Sequence, residues 1–288
     1  MRDTILFGDC RETLKEFDEK ARMCVTSPPY YGLRNYGGEE SQIGLEQTPE
    51  EFINELVKVF NEVKNVLTDD GTCWVNIGDS YYNYRPGRGQ GLAKQTVSNT
   101  KQDLPDVCPR RGNRIRGLKE KDLIGIPWMF AFAMRADGWY LRQDIIWSKP
   151  NPMPESVRDR CTKSHEYMFL FSKNQNYYFD VDAIKEPTRR KRSVWNVTKK
   201  PYKGAHFAVY PPELIEPCIK AGSEEGDIVL DPFMGSGTTA MVAKSLGRDY
   251  IGCELHEDYG NLIQKRVKEY HPVEEVSQEP SINILDIV

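Results

Sequence analysis

The chain has 288 residues, of which 39% are hydrophobic and 28% charged, and carries a net charge of −4. This composition supplies enough apolar material for one large α/β core and excludes a wholly disordered chain. No run reaches the ~18 consecutive apolar residues of a membrane helix, and MRDTILFGDC is too short and acidic for a secretory leader, so the expected compartment is the cytoplasm.

In chain order, TILFGD (4–9) reads as a short buried strand with Asp9 at its tip, and RETLKEF (11–17) as a helix. ARMCVTSPPYYG (21–32) is a strand that must stop at Pro28, because proline cannot donate to a sheet ladder. Over 49–67, Phe52, Leu56, Val59, Phe60, Val63 and Leu67 recur at three- and four-residue spacing. That spacing predicts an amphipathic helix entered at Pro49 and ended by Asp69-Asp70-Gly71. GTCWVNIGDS (71–80) follows as a strand.

Residues 82–121 change character. Ten basic residues, among them Arg85, Arg88, Arg110, Arg111, Arg114 and Arg116, face three acidic ones, a local charge of +7. An inserted basic loop is expected there. A helix over 123–140 and strands at 143–149 and 165–173 come next. A second basic stretch, 182–204, holds Arg189, Arg190, Lys191 and Arg192 and has a local charge of +6. A helix (210–223), a strand with a Gly-rich turn and helix (227–247), a strand (248–255) and a last helix (256–270) complete the pattern. Alternating strands and helices predict a mostly parallel sheet covered on both faces.

Two segments carry chemistry. In VLDPFMGSGTTAMVA a buried strand ends at Asp231, and Gly235-Ser236-Gly237 turns into a helix beginning near Thr238 and Thr239. Glycines admit close approach to a ligand, and a helix N-terminus offers free amides and partial positive charge to an anion. A P-loop would need a lysine after Gly237 and a dinucleotide fingerprint a third glycine; both are absent. Glu254, at the end of the next strand, is placed to bind a ribose diol. Adenosine plus a carboxylate describes S-adenosylmethionine. Phe233 is a candidate for packing on the adenosyl group.

In VTSPPYYG, the two prolines remove donors and leave carbonyls, the Ser27 hydroxyl and the Tyr30 ring. Acceptors of this kind would hold the exocyclic amine of an extruded base, with Tyr30 stacked on the base. Seven scattered cysteines without a CxxC pair argue against zinc or a disulfide framework. His165 and His206 lack metal-ligand spacing, so no metal is expected.

TSPPY (26–30) and DPFMGSGTT (231–239), in that order, resemble the catalytic and cofactor signatures of the permuted, β-class amino-methyltransferases of bacterial and phage restriction–modification systems. FGDC (7–10), IIWSKPNPMPES (145–156), HEYMFLFSK (165–173) and HFAVYPPELIEPCI (206–219) are similar to further parts of that family. The resemblance implies a Rossmann-like, seven-stranded, circularly permuted sheet. It assigns Ser27, Pro28, Pro29 and Tyr30 to catalysis. It assigns Asp9, Asp231, Phe233, Gly235, Ser236, Gly237, Thr238, Thr239 and Glu254 to the cofactor, with Asp9 near its adenine. Ser27 in place of an aspartate is associated in the family with cytosine N4 methylation, the alternative being adenine N6. An RNA methyltransferase or a non-catalytic DNA-binding subunit is the more distant reading.

The implied organisation is a catalytic half (1–81 and 122–181), the basic insertion (82–121), a candidate target-recognition segment (182–205), a cofactor half (206–270) and a tail (271–288), with base reading open between 182–205 and 82–121. The arginines of both basic stretches and Lys191 are the expected phosphate contacts. The implied partners are double-stranded DNA and a cognate restriction endonuclease. The chain is expected to act as a monomer or homodimer away from membranes.

Overall fold

The computed structural model describes residues 1–32, 41–82, 115–199 and 210–270. Eight strands form one sheet: β1 (Thr4–Phe7), β2 (Ala21–Thr26), β3 (Leu67–Ile77), β4 (Tyr140–Ser148), β5 (His165–Ser172), β6 (Val194–Asn196), β7 (Ile228–Asp231) and β8 (Asp249–Glu254). Their spatial order is β1-β8-β7-β2-β3-β5-β4-β6. Among these strands, only β5 runs antiparallel to its neighbours β3 and β4; the other pairings are parallel. The fold class expected from the sequence is therefore met, with one strand more than the seven expected. The addition is β6, which lies in the basic stretch and pairs with β4 through Val194, Trp195 and Asn196.

The helices are α1 (Cys10–Thr13), α2 (Pro49–Val66), α3 (Ile126–Ala136), α4 (Pro212–Gly222), α5 (Thr238–Ser245) and α6 (Tyr259–Glu269). α2 begins with a capping box. Thr48 Oγ1 accepts from the Glu51 amide at 3.2 Å, and Glu51 accepts from the Thr48 amide at 3.1 Å. Three expected boundaries are corrected. The 11–17 helix is a single α-turn followed by a tighter 3₁₀ turn over Leu14–Glu16. β3 starts directly at the end of α2 and absorbs Asp69, Asp70 and Gly71 instead of following them. The 123–140 helix starts only at Ile126, after Gly125 at φ 86°, and Gly138 at φ 93° turns the chain into β4.

Strand alternation divides the core between the two faces of the sheet. Cys24, Cys73, Val75, Phe169, Phe171 and Leu230 join the cluster under α2 and α3. Met23, Val25, Trp74, Met168, Leu170 and Val229 join the cluster under α4 and α5. With both faces filled, ligands are left the crevice beyond the carboxyl ends of the strands.

Candidate active site

That crevice is a cavity of about 550 Å³ whose lining includes Gly8 and Asp9 after β1, Ser27 to Tyr30 after β2, Asn76 on β3, Phe233 to Ser236 after β7, and Glu254 at the end of β8. The two signature segments, some 200 residues apart in sequence, therefore share one wall because β2 and β7 are neighbours.

On the β7 side, Asp231 is 1% exposed and accepts four hydrogen bonds. Its donors are Thr26 Oγ1 at 2.5 Å, Thr239 Oγ1 at 2.5 Å, Tyr210 Oη at 3.2 Å and the Phe233 amide at 3.0 Å. Burial pushes this carboxyl up from its ordinary value, and the four donors oppose the shift. Asp231, Gly237 and Thr239 lie behind the cavity wall rather than on it. The Asp231 carboxylate is engaged by these four donors inside the protein and braces the turn. Gly237 sits at φ 81°, where a Cβ would lie 2.7 Å from Ile263. Arg266 on α6 secures the turn from outside, donating to the Ser236 carbonyl at 2.7 Å and also to the Ser236 hydroxyl.

Glu254 accepts from the Gly235 amide at 2.8 Å and the His256 amide at 3.0 Å. Burial dominates and pushes its carboxyl up to about 7. Thr238 Oγ1, in the first turn of α5, and His256 Nε2 are buried with no hydrogen-bond partner among the described residues, and both residues line the cavity. A buried orphan hydroxyl at a helix N-terminus fits a ligand carboxylate. Together with the Glu254 carboxyl for a diol and the half-buried Phe233 for a flat ring, these groups match S-adenosylmethionine. Asp9 lines the cavity too, but its carboxylate caps α1 and is gripped by Arg11, whose Nε lies at 2.9 and 3.0 Å from the two oxygens. Burial raises this carboxyl, and the Arg11 hydrogen bonds outweigh it, leaving Asp9 below its usual range.

On the β2 side, the Ser27 hydroxyl makes no hydrogen bond to any described residue and faces the cavity beside Pro28 and Pro29. The Tyr30 ring lies flush against Gly78, where a Cβ would come within 2.6 Å of Cε2. Its hydroxyl donates to Glu166 Oε2 at 2.6 Å. Glu166 is ion-paired with Lys149, and Lys149 Nζ sits 4.3 Å from the centre of the Trp147 ring. Asn76 is fixed by donating to the Tyr167 carbonyl at 3.0 Å. Tyr31 turns inward, 2% exposed and 5.5 Å from Phe52.

Sequence reasoning missed Glu166, Lys149, Asn76, Tyr210 and Arg266. Only the polar Glu166 at the head of an apolar strand, and Lys149 closing another, could have drawn attention. Among the expected DNA contacts, Arg85, Arg88, Arg110, Arg111 and Arg114 lie outside the described residues. Arg116, Arg190 and Arg192 are not buried, Arg189 is paired with Glu186 at 2.5 Å, and Lys191 Nζ lies 5.2 Å from the Trp195 ring. None of these five lines the cavity, whose described cations are Lys149, Lys163 and Lys199. Burial holds Lys163 below its ordinary value, with Asp79 and Glu166 opposing the shift.

Residues 21–265 match the DNA methylase family. The chain belongs to that family. It is 50% identical over 281 residues to the type II methyltransferase M.XycI of Xanthomonas campestris pv. cyanopsidis, covering 93% of this chain and 89% of that protein. It is 48% identical to M.SmaI of Serratia marcescens, covering 91% and 90%. A solved PvuII DNA methyltransferase (cytosine-N4-specific) superposes with a TM-score of 0.68 at 20% identity, covering 96% of this chain and 89% of that one. A putative DNA modification methylase from Thermus thermophilus, solved with S-adenosyl-L-methionine, gives 0.62 at 25% identity, covering 91% and 92%. With this membership the expected class stands: a DNA amino-methyltransferase of restriction–modification type that uses S-adenosylmethionine. No helix among the described residues is long and apolar enough to cross a membrane.

Proposed function

We propose that this DNA methylase transfers its methyl group to the exocyclic N4 amine of cytosine at specific sites in double-stranded DNA. The observation that carries this is the Ser27 hydroxyl, neutral, unengaged and cavity-facing where a carboxylate would favour adenine by the family's pattern. When bound, S-adenosylmethionine supplies an electrophilic methyl group. The chain's own residues do the rest. Glu254 would hold the ribose hydroxyls, and Thr238 with the α5 amides the carboxylate. Ser27 Oγ and the carbonyl oxygens beside Pro28 accept the amine hydrogens. Tyr30 stacks on the extruded base, and Asn76 borders the same space.

Fixing the amine so that its lone pair meets the methyl in line supplies most of the acceleration. The proton lost from nitrogen leaves through Ser27 Oγ or water. No cysteine adjoins Pro28 and Pro29 in the sequence, and burial raises the Cys10 and Cys253 thiols that line the cavity, so transfer is direct to nitrogen. A restriction endonuclease of the same specificity is the partner this function calls for.

The deciding experiment is digestion of methylated DNA to nucleosides and mass spectrometry. N4-methylcytosine is expected; N6-methyladenine would keep the class and overturn the base. Ser27→Ala should abolish transfer while calorimetry still detects cofactor binding, and loss of that binding would contradict the assigned roles.

A further inference from the structure

Among the strongly exposed large apolar side chains of the described residues, Met153 is the most exposed, at 78%. It is also the one of them that lines the active-site cavity. An isolated exposed apolar residue on a surface needs no explanation; one displayed on a stiff support at the entrance to a base-binding cavity does.

The support is stiff for identifiable reasons. Pro152 and Pro154 flank Met153, each with its φ locked by the ring, and each restricts the residue before it to extended backbone. Asn151 and Lys199 exchange two hydrogen bonds, Asn151 Nδ2 to the Lys199 carbonyl at 2.9 Å and the Lys199 amide to Asn151 Oδ1 at 3.1 Å. On the other side Glu155 accepts from Arg160 Nη1 at 2.6 Å and from the Lys163 amide at 3.2 Å. Arg160 in turn lies 3.8 Å over the Tyr81 ring. The thioether is thus held out toward solvent by a backbone fastened at both ends. Lys163 and Lys199 line the same cavity, together with Lys149, whose charge is paired with Glu166.

An extruded base leaves a gap in the stack, and apolar side chains, Met among them, wedge between base steps in proteins that distort DNA. We infer that Met153 enters the base stack of the duplex as the target base leaves it and holds the gap open. Its unbranched, polarizable side chain suits an irregular apolar space between bases. This rests on the reading above that the base is extruded into this cavity.

The test compares the full-length protein with Met153→Ala and Met153→Leu on two duplexes carrying its site. In one the target base is paired; in the other it faces an abasic position, where extrusion is cheap. Met153→Ala is expected to lose about tenfold or more in kcat/KM on the paired duplex, and most of that loss should vanish on the abasic-opposed duplex. Met153→Leu, which keeps the apolar bulk, should recover most of the loss, and cofactor affinity should not move in either variant. Equal losses on both duplexes, or no loss on the paired one, would overturn the role. A wild-type protein that yields no methylated base from either duplex would overturn the cavity reading itself, and this inference with it.

Discussion

Tyr30 Oη donates to Glu166 Oε2 across 2.6 Å, joining the turn after β2 to the first residues of β5, 136 positions away in sequence. The ring proposed to stack on the base is therefore aimed by a group outside the signature segment. Lys149 grips that group from the opposite side, through its other carboxylate oxygen.

A hydrogen bond to a charged acceptor contributes about 1.5–3 kcal/mol. If that energy serves to orient the ring in the transition state, Tyr30→Phe and Glu166→Gln should each lower kcat/KM by about 10- to 100-fold. Cofactor affinity, read by calorimetry, should stay at the wild-type value. The double variant should be little worse than the more damaged single one, because the Tyr30–Glu166 contact is common to both. Fully additive losses would show that the two residues act separately.

Glu254 gives a pH dependence with a definite sign. Its folded-state carboxyl is raised to about 7 from 4.5, so between those values the folded protein binds more protons than the unfolded one. Stability in the absence of cofactor should therefore fall as pH rises from about 4.5 to about 7, by on the order of 3 kcal/mol in all. Cofactor binding should follow the opposite trend, since ribose hydroxyls donate to the ionised form. Affinity is expected to weaken by up to tenfold per unit below pH about 7, and Glu254→Gln should flatten that profile. Titration calorimetry at several pH values checks both points.

Asp231→Ala tests the bracing role. It strips the acceptor from Thr26, Thr239 and Tyr210 hydroxyls buried around it. The expected loss is about 3 kcal/mol or more in denaturant unfolding, before any effect on catalysis. Wild-type stability combined with a specific loss of cofactor affinity would instead return Asp231 to direct ligand contact.

Gly237→Ala should be disproportionately harmful for one methyl group. The added Cβ would stand at φ 81° and 2.7 Å from Ile263, so either the turn or α6 must move. Weakened cofactor binding together with a lowered melting temperature is the expected pair of readouts.

What was legible in the sequence was local. The order of strands and the Ser27–Tyr30 and Gly235–Thr239 turns could be read because proline, glycine and apolar spacing act within a few residues. β6 escaped because three residues with exposed ends carry no period, and its pairing with β4 alone makes it a strand. Glu166, Lys149 and Arg266 escaped because their roles arise from contacts between segments distant in sequence. The three hydroxyls around Asp231 were not legible either, since a strand-tip carboxylate looks the same in sequence whether it faces a ligand or buried donors.

For a 182–205 segment proposed to read the target, the pairing of β6 with β4 has a consequence. Trp147 Nε1 donates to the Val197 carbonyl at 2.8 Å, and the same indole carries Lys149 on its face. The backbone leaving the 182–205 segment is thus the shelf under the residues that orient Tyr30. A transplanted segment from a relative would have to bring its own matching shelf, so chimeras cut between Arg192 and Lys199 should lose turnover even where they gain a new binding site. Junctions placed outside that interval leave the shelf whole.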